Sequence, residues 1–169
     1  MKNSGFSIME LIFVIAILST LMAIATLSGH AWMERYQMEG QVKQMYADFM
    51  SARASAMQRS RMFFMTLAAN QYAIYEDTYS ASIPSSPDGD GILQTANDRP
   101  VTQKTLQYTL NANINIATTN VIFSANGLAS PDPTTVWFTS TANPASDCIT
   151  LSTTRILMGK YNGTNCVVQ

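Results

Sequence analysis

Gly5-Phe6-Ser7-Ile8-Met9-Glu10-Leu11-Ile12-Phe13-Val14-Ile15-Ala16-Ile17 is the stretch that decides the fold of this chain. A short polar leader with one cation, Lys2, ends at Gly5, and an almost unbroken apolar run follows it. That run carries a single acid, Glu10. A carboxylate among hydrocarbon side chains costs roughly 2.5–3.5 kcal/mol on a membrane-insertion scale, so Glu10 calls for a cationic partner. From Phe6 to Leu27 only Ser7, Glu10, Ser19, Thr20 and Thr26 interrupt the apolar character. As a helix this segment is about 33 Å long, enough to cross a bilayer. An ordinary secretory signal places its small-residue cleavage site after the apolar region; here the small residue comes first.

Outward from this segment, the first proline is Pro84, so nothing forbids helix from Phe6 well past residue 50. Beyond Ser28-Gly29-His30 the pattern turns amphipathic. Met38, Val42, Met45, Phe49, Ala52 and Ala56 recur at alternating steps of four and three, which is one face of a helix. The spacing predicts one long helix over 6–61, about 84 Å, with a bend or melted turn expected at Gly29 or Gly40.

After Arg61 the period drops to two. Met62 to Leu67 and Gln71 to Tyr75 read as strands around a turn at Ala68 to Asn70. Asp77 to Lys104, with half of the six prolines, reads as loop. Short β-forming runs then follow at Thr105 to Leu110, Ile114 to Ile116, Val121 to Phe123, Thr135 to Thr139, Cys148 to Leu151 and Ile156 to Tyr161. The expected fold class is α+β: a long N-terminal helix, membrane-spanning in its first half, packed on an antiparallel β-sheet or sandwich head.

The 169 residues accommodate one membrane helix and one modest domain. Between Ala31 and Arg61 five basic residues face three acidic ones; from Met62 to Gln169 four face seven. A mildly acidic head lacks the electrostatic footprint of a nucleic-acid binder. His30 is the one histidine, which removes Ser-His-Asp and Cys-His catalysis. It sits at the edge of the apolar helix, where Trp32 and Tyr36 suit an aromatic anchor at the membrane interface. No Gly-rich phosphate loop and no paired-carboxylate cleft stands out, so an enzyme is not expected.

The pattern Gly-Phe-Ser-x-x-Glu-Leu-x-x-Val-x-Ala-Ile resembles the processing and assembly signal of type IV pilins and type II secretion pseudopilins. Within that superfamily the tail is most similar to the minor pseudopilins of the GspH/FimT type. The carriers are Arg53-Ala54, Gln58-Arg59-Ser60-Arg61 before the strand at Met62, Tyr72 to Asp77, and Val121-Ile122-Phe123 before Asn126-Gly127. The resemblance implies a leader peptide at 1–5, a transmembrane and filament-core helix at 6–28, an amphipathic helix at 29–61 and a periplasmic β-rich head at 62–169. Gly5 would be the last leader residue, cut by a prepilin peptidase, and Phe6 the new, N-methylated amino terminus. Glu10 would meet the Phe6 amine of a neighbouring subunit during assembly. Other subunits, an inner-membrane assembly platform and membrane lipid are the implied partners. The implied roles are a type II secretion pseudopilin or, alternatively, a minor type IV pilin; a membrane-anchored binding module that never polymerises is the third reading.

An exported head makes a Cys148–Cys166 disulfide the natural reading, with two buried free thiols as the alternative. Asp88-Gly89-Asp90-Gly91 resembles the opening of a calcium loop, and some major pseudopilins hold calcium in their C-terminal loops. Asp77 or Asp98 would then complete the site. The further spaced acids and closing Glu are missing, and Asp-Gly pairs form turns unaided, so a turn without a cofactor is favoured. Some fimbrial-T relatives bind DNA through an arginine-bearing C-terminal stretch. Here Ser152 to Asn162 supplies only Arg155 and Lys160, with Tyr161 to stack, so nucleic acid is not an expected partner.

Overall fold

In a computed structural model, which describes residues 7–80, 89–117 and 119–168 (side chains of 24–31 excepted), the chain opens with one helix. Helix α1 runs over Ile8–Arg59, 52 residues, about 78 Å at 1.5 Å per residue. It starts at Ser7, whose backbone is extended (φ −72°, ψ 142°). The Ser7 carbonyl accepts from the N–H groups of Glu10 and Leu11 at 3.0 and 3.2 Å. It stops at Ser60, which takes the left-handed conformation (φ 53°, ψ 38°) and returns its N–H to the Ala56 carbonyl. That reversal leaves Arg61 outside the helix, two residues short of the expected end. Helical structure runs unbroken through Gly29 and Gly40. The melted turn expected there does not form; packing on the head outweighs the roughly 1 kcal/mol cost of a helical glycine at Gly40.

Among the described residues ten strands follow: β1 (Phe63–Ala68), β2 (Gln71–Glu76), β3 (Arg99–Thr105), β4 (Thr109–Ala112), β5 (Val121–Phe123), β6 (Ala129–Ser130), β7 (Thr134–Thr139), β8 (Cys148–Leu151), β9 (Ile156–Tyr161) and β10 (Cys166–Val168). They form two antiparallel five-stranded sheets, ordered β3-β2-β1-β5-β6 and β10-β9-β8-β7-β4. Helix α1 lies against β1 and β5 of the first sheet and β8 and β9 of the second.

The predicted stripe is the spine of the core: Met38, Val42, Met45, Phe49 and Ala56 are fully buried and Ala52 nearly so. Phe49 meets Phe123 of β5 edge-on, with ring centroids 6.2 Å apart. Facing side chains come from both sheets, among them Phe63, Met65 and Ile74 from the first and Val136, Ile149 and Leu151 from the second. The helix flanks bind the sheets through polar contacts. Asp48 accepts from the buried Tyr72 hydroxyl at 2.5 Å and from the Lys104 ammonium at 2.7 Å, tying α1 to β2 and β3. Burial first, and then Asp48, pushes the Tyr72 hydroxyl far above its ordinary pKa, so it remains a donor. Nearer the helix start, Glu34 and Glu39 accept from Ser140 and from the Ala145 N–H. Arg35 donates to the Ala142 carbonyl at 2.5 Å.

Three strand expectations need correction. The segment read as loop to Lys104 ends in β3, a solvent-facing edge strand whose polar side chains and Pro100 hide the alternation. Thr105 to Leu110 is not one strand; β3 ends at its start and β4 begins near its end. Ile114 to Ile116 is a turn rather than a strand, because the Asn115 side chain caps the Ala117 N–H and its carbonyl accepts from Thr119.

Candidate assembly surface

The first half of α1 makes a surface of its own. Ile8, Met9, Leu11, Ile12, Phe13, Val14, Ile15, Ile17, Leu18, Leu21 and Met22 are all about half exposed or more. They surround the helix on every side, and a helix apolar all round is stable only inside lipid or among other helices. Ser19 and Thr20 return their hydroxyls to the Ala16 and Ile17 carbonyls at 2.9 and 2.8 Å, which masks their polarity. Glu10 interrupts this surface from the first helical turn, where the positive end of the helix dipole favours a carboxylate. Gly5 and Phe6 lie outside the described residues. Among the described residues no helix is long and apolar enough to cross a membrane; the span expected at 6–28 extends beyond them at its start, and its side chains beyond Ala23 are not described.

At the junction of apolar rod and head, Trp32 and Tyr36 stack one turn apart, centroids 6.0 Å and planes 18° from parallel, both two-thirds exposed. An aromatic pair of this kind suits a lipid–water boundary. The His30 side chain lies outside the described residues.

At the far end of α1 the structure builds a cluster that sequence reading missed. Glu76 closes β2 with a side chain only 2% exposed. Arg59 and Arg99 both approach its Oε2, at 2.8 and 3.7 Å, and Arg61 approaches Oε1 at 3.5 Å. The motif residues Arg59 and Arg61 were evident; the acid that gathers them is 17 and 15 positions away and carries no spacing signal.

The Asp/Gly loop folds on its own backbone. Asp98 accepts the N–H groups of Thr78, Tyr79 and Gln94, Asp77 accepts that of Gly91, and Asp90 that of Ile92. Asp88 is outside the described residues. Among the described residues no group of three or more His, Cys, Asp or Glu is placed to hold a metal ion. Gly89 is required by close approach, since a Cβ there would fall 1.7 Å from Asp77 Oδ1.

Burial raises the Asp77 carboxyl above its ordinary 3.8, with Asp98 and Asp90 adding to the rise and the Gly91 and Asp90 N–H groups opposing it. The native form therefore holds this proton more tightly than the unfolded chain. Stability from this residue is complete below the unfolded value and is lost as pH climbs through the folded one. Asp77→Asn is expected to gain stability relative to the parent between about pH 3 and about pH 7 in urea unfolding. A constant difference across that range contradicts the assignment.

Cys148 and Cys166 form a disulfide that ties β8 to the terminal strand β10. Trp137 and Tyr161 stack beside it, 4.4 Å apart and 6° from parallel. Lys160 pairs with Asp147 at 2.8 Å and donates to the Pro144 carbonyl, which removes one of the two C-terminal cations from any phosphate contact.

The family model for the type II transport protein GspH matches residues 41–154, from mid-helix to the β8–β9 turn. No individual curated protein matches the chain. Among solved structures, the minor pseudopilin EpsH from the type 2 secretion system of Vibrio cholerae is similar at 12% identity and TM-score 0.51, covering 72% of this chain and 95% of that one. The type IV minor pilin FimU of Pseudomonas aeruginosa is similar at 14% identity and TM-score 0.52, covering 80% and 96%. Both share the fold of a long helix laid on antiparallel sheets. With two-thirds of its residues in the family match, this chain belongs to the GspH family of type II transport proteins.

Proposed function

We propose that the chain is a minor pseudopilin of a type II secretion system, held in a bacterial inner membrane by the start of α1 with its head in the periplasm. The observation that carries this reading is the exposed, largely apolar start of α1, Ile8 to Met22, with Glu10 in its first turn. A prepilin peptidase cuts after Gly5, Phe6 becomes an N-methylated terminus, and subunits drawn from the membrane pack their helices together. Glu10 of each incoming subunit pairs with the Phe6 amine of a neighbour, two charges that neither lipid nor a helix bundle tolerates singly. The work is mechanical: the heads coat the filament and no bond is made or broken at them.

Glu10→Val leaves the amine without its counter-charge, an omission that costs about 3–5 kcal/mol when the partner is buried. The variant is expected to insert normally yet appear in sheared filaments at least about tenfold less than the parent. Equal incorporation sinks the reading. A mature terminus other than N-methylated Phe6, read by mass spectrometry, sinks the processing step. The extent of the likeness to FimU supports a second reading, a minor subunit of a type IV pilus. Deleting the gene separates the two: loss of protein secretion supports the first, loss of surface pili the second.

A further inference from the structure

We infer that the cleft between Arg59 and Arg99 is a carboxylate-binding site that docks an acidic segment of a different protein. The cleft holds about 130 Å³ and is floored by the buried Phe63. Arg59 and Arg99 flank it, about half and two-thirds exposed, and both lean on the same oxygen of Glu76. One carboxylate oxygen therefore orients two guanidiniums and leaves a positive charge unbalanced between them. Arg99 stands 3.7 Å from that oxygen, an ion pair rather than a hydrogen bond. Each guanidinium carries five N–H donors in a planar fork matched to an incoming carboxylate. Ser55 adds a half-buried hydroxyl at the rim, and Val101, half exposed, offers the methylene carbons of a Glu side chain an apolar wall.

A buried acid as keystone fixes the forks in advance, so less side-chain entropy is lost when an anion arrives. The occupant is not a second copy meeting this end with the opposite end of its head. There Glu34 and Glu39 are engaged by Ser140, Ala145 and Lys43, and Asp147 by Lys160 and the Tyr161 N–H. Charge complementarity instead fits a partner chain that presents free Asp or Glu side chains. The inference stands whether or not the chain polymerises.

The test is a titration of the full chain in detergent micelles with a hexaglutamate peptide, following the arginine Nε–H signals by NMR. Saturable shifts of Arg59 and Arg99 are expected, with affinity reduced at least about tenfold in Arg99→Gln and less in Arg99→Lys, which keeps the charge but not the fork. Val101→Asp, which sets a negative charge in the cleft beside the guanidiniums and against an incoming acid, is expected to weaken binding by a similar factor. Absence of shifts, or parental affinity in Arg99→Gln or Val101→Asp, overturns the site. Inorganic phosphate binding as tightly as the peptide overturns the protein partner.

Discussion

Phe49→Ala is expected to lower the stability of the head by about 3–5 kcal/mol, the usual cost of emptying a large aromatic site in a core. Phe49 is fully buried midway along the helical stripe. Its ring sits edge-on against Phe123, the end of the three-residue strand β5, which links β1 to β6. The hole opens where the helix meets both sheets, with Met45 and Ala52 on the adjacent turns of the same face, so little is free to collapse into it. Against a typical stability of about 5–15 kcal/mol this is a large fraction. Chemical denaturation of the full chain checks it, with circular dichroism on the strands. A loss below about 1 kcal/mol means the two layers repack, contrary to the dense core described.

Replacing both Cys148 and Cys166 with Ala is expected to cost roughly 3 kcal/mol, the chain-entropy value for a loop of this size. The cross-link spans 18 positions and holds three-residue β10 at the sheet edge. Apart from this bond, β10 is anchored by its pairing with β9, in which Val168 sits opposite Gly159. It passes so close that a Cβ on Gly159 would come within 2.2 Å of the Val167 carbonyl oxygen. Val167 and Val168 are themselves about half exposed, so burial does little to hold the strand. Amide hydrogen exchange in the double variant is expected to rise in β10 while β8 and β9 stay protected. Uniform protection across all three strands contradicts the assignment.

Much of this architecture is written locally. The stripe from Met38 to Ala56 repeats at helical spacing for five turns, and each of its members is buried. Strands β8 and β9 were legible to the residue, because Cys148-Ile149-Thr150-Leu151 and Ile156 to Tyr161 are β-forming runs bounded by turn residues. What escaped are elements whose identity is conferred by neighbours. Strand β3 is mostly polar and exists because β2 offers it an open edge. Strands β6 and β10, two and three residues long, have too few side chains to show a period. The Cys148–Cys166 pairing was legible because two cysteines in a head expected to be exported leave one intramolecular choice. The Arg59–Glu76–Arg99 cluster was not, since a β-hairpin and a long loop separate its members before the sheet reunites them. Glu10 stands apart: the sequence marks it as a lone acid in an apolar run, and the isolated chain leaves it exposed.

Both sheets stay open rather than closing into a barrel, and the longest rim is β3. An unpaired rim invites lateral zippering between crowded molecules. This one carries Pro100, which has no amide hydrogen to offer, together with the cations Arg99 and Lys104. Two such margins cannot complete a continuous ladder, because each lacks the amide hydrogen of Pro100. Heads brought close together are thereby steered away from amyloid-like association and left to recognise one another through side chains.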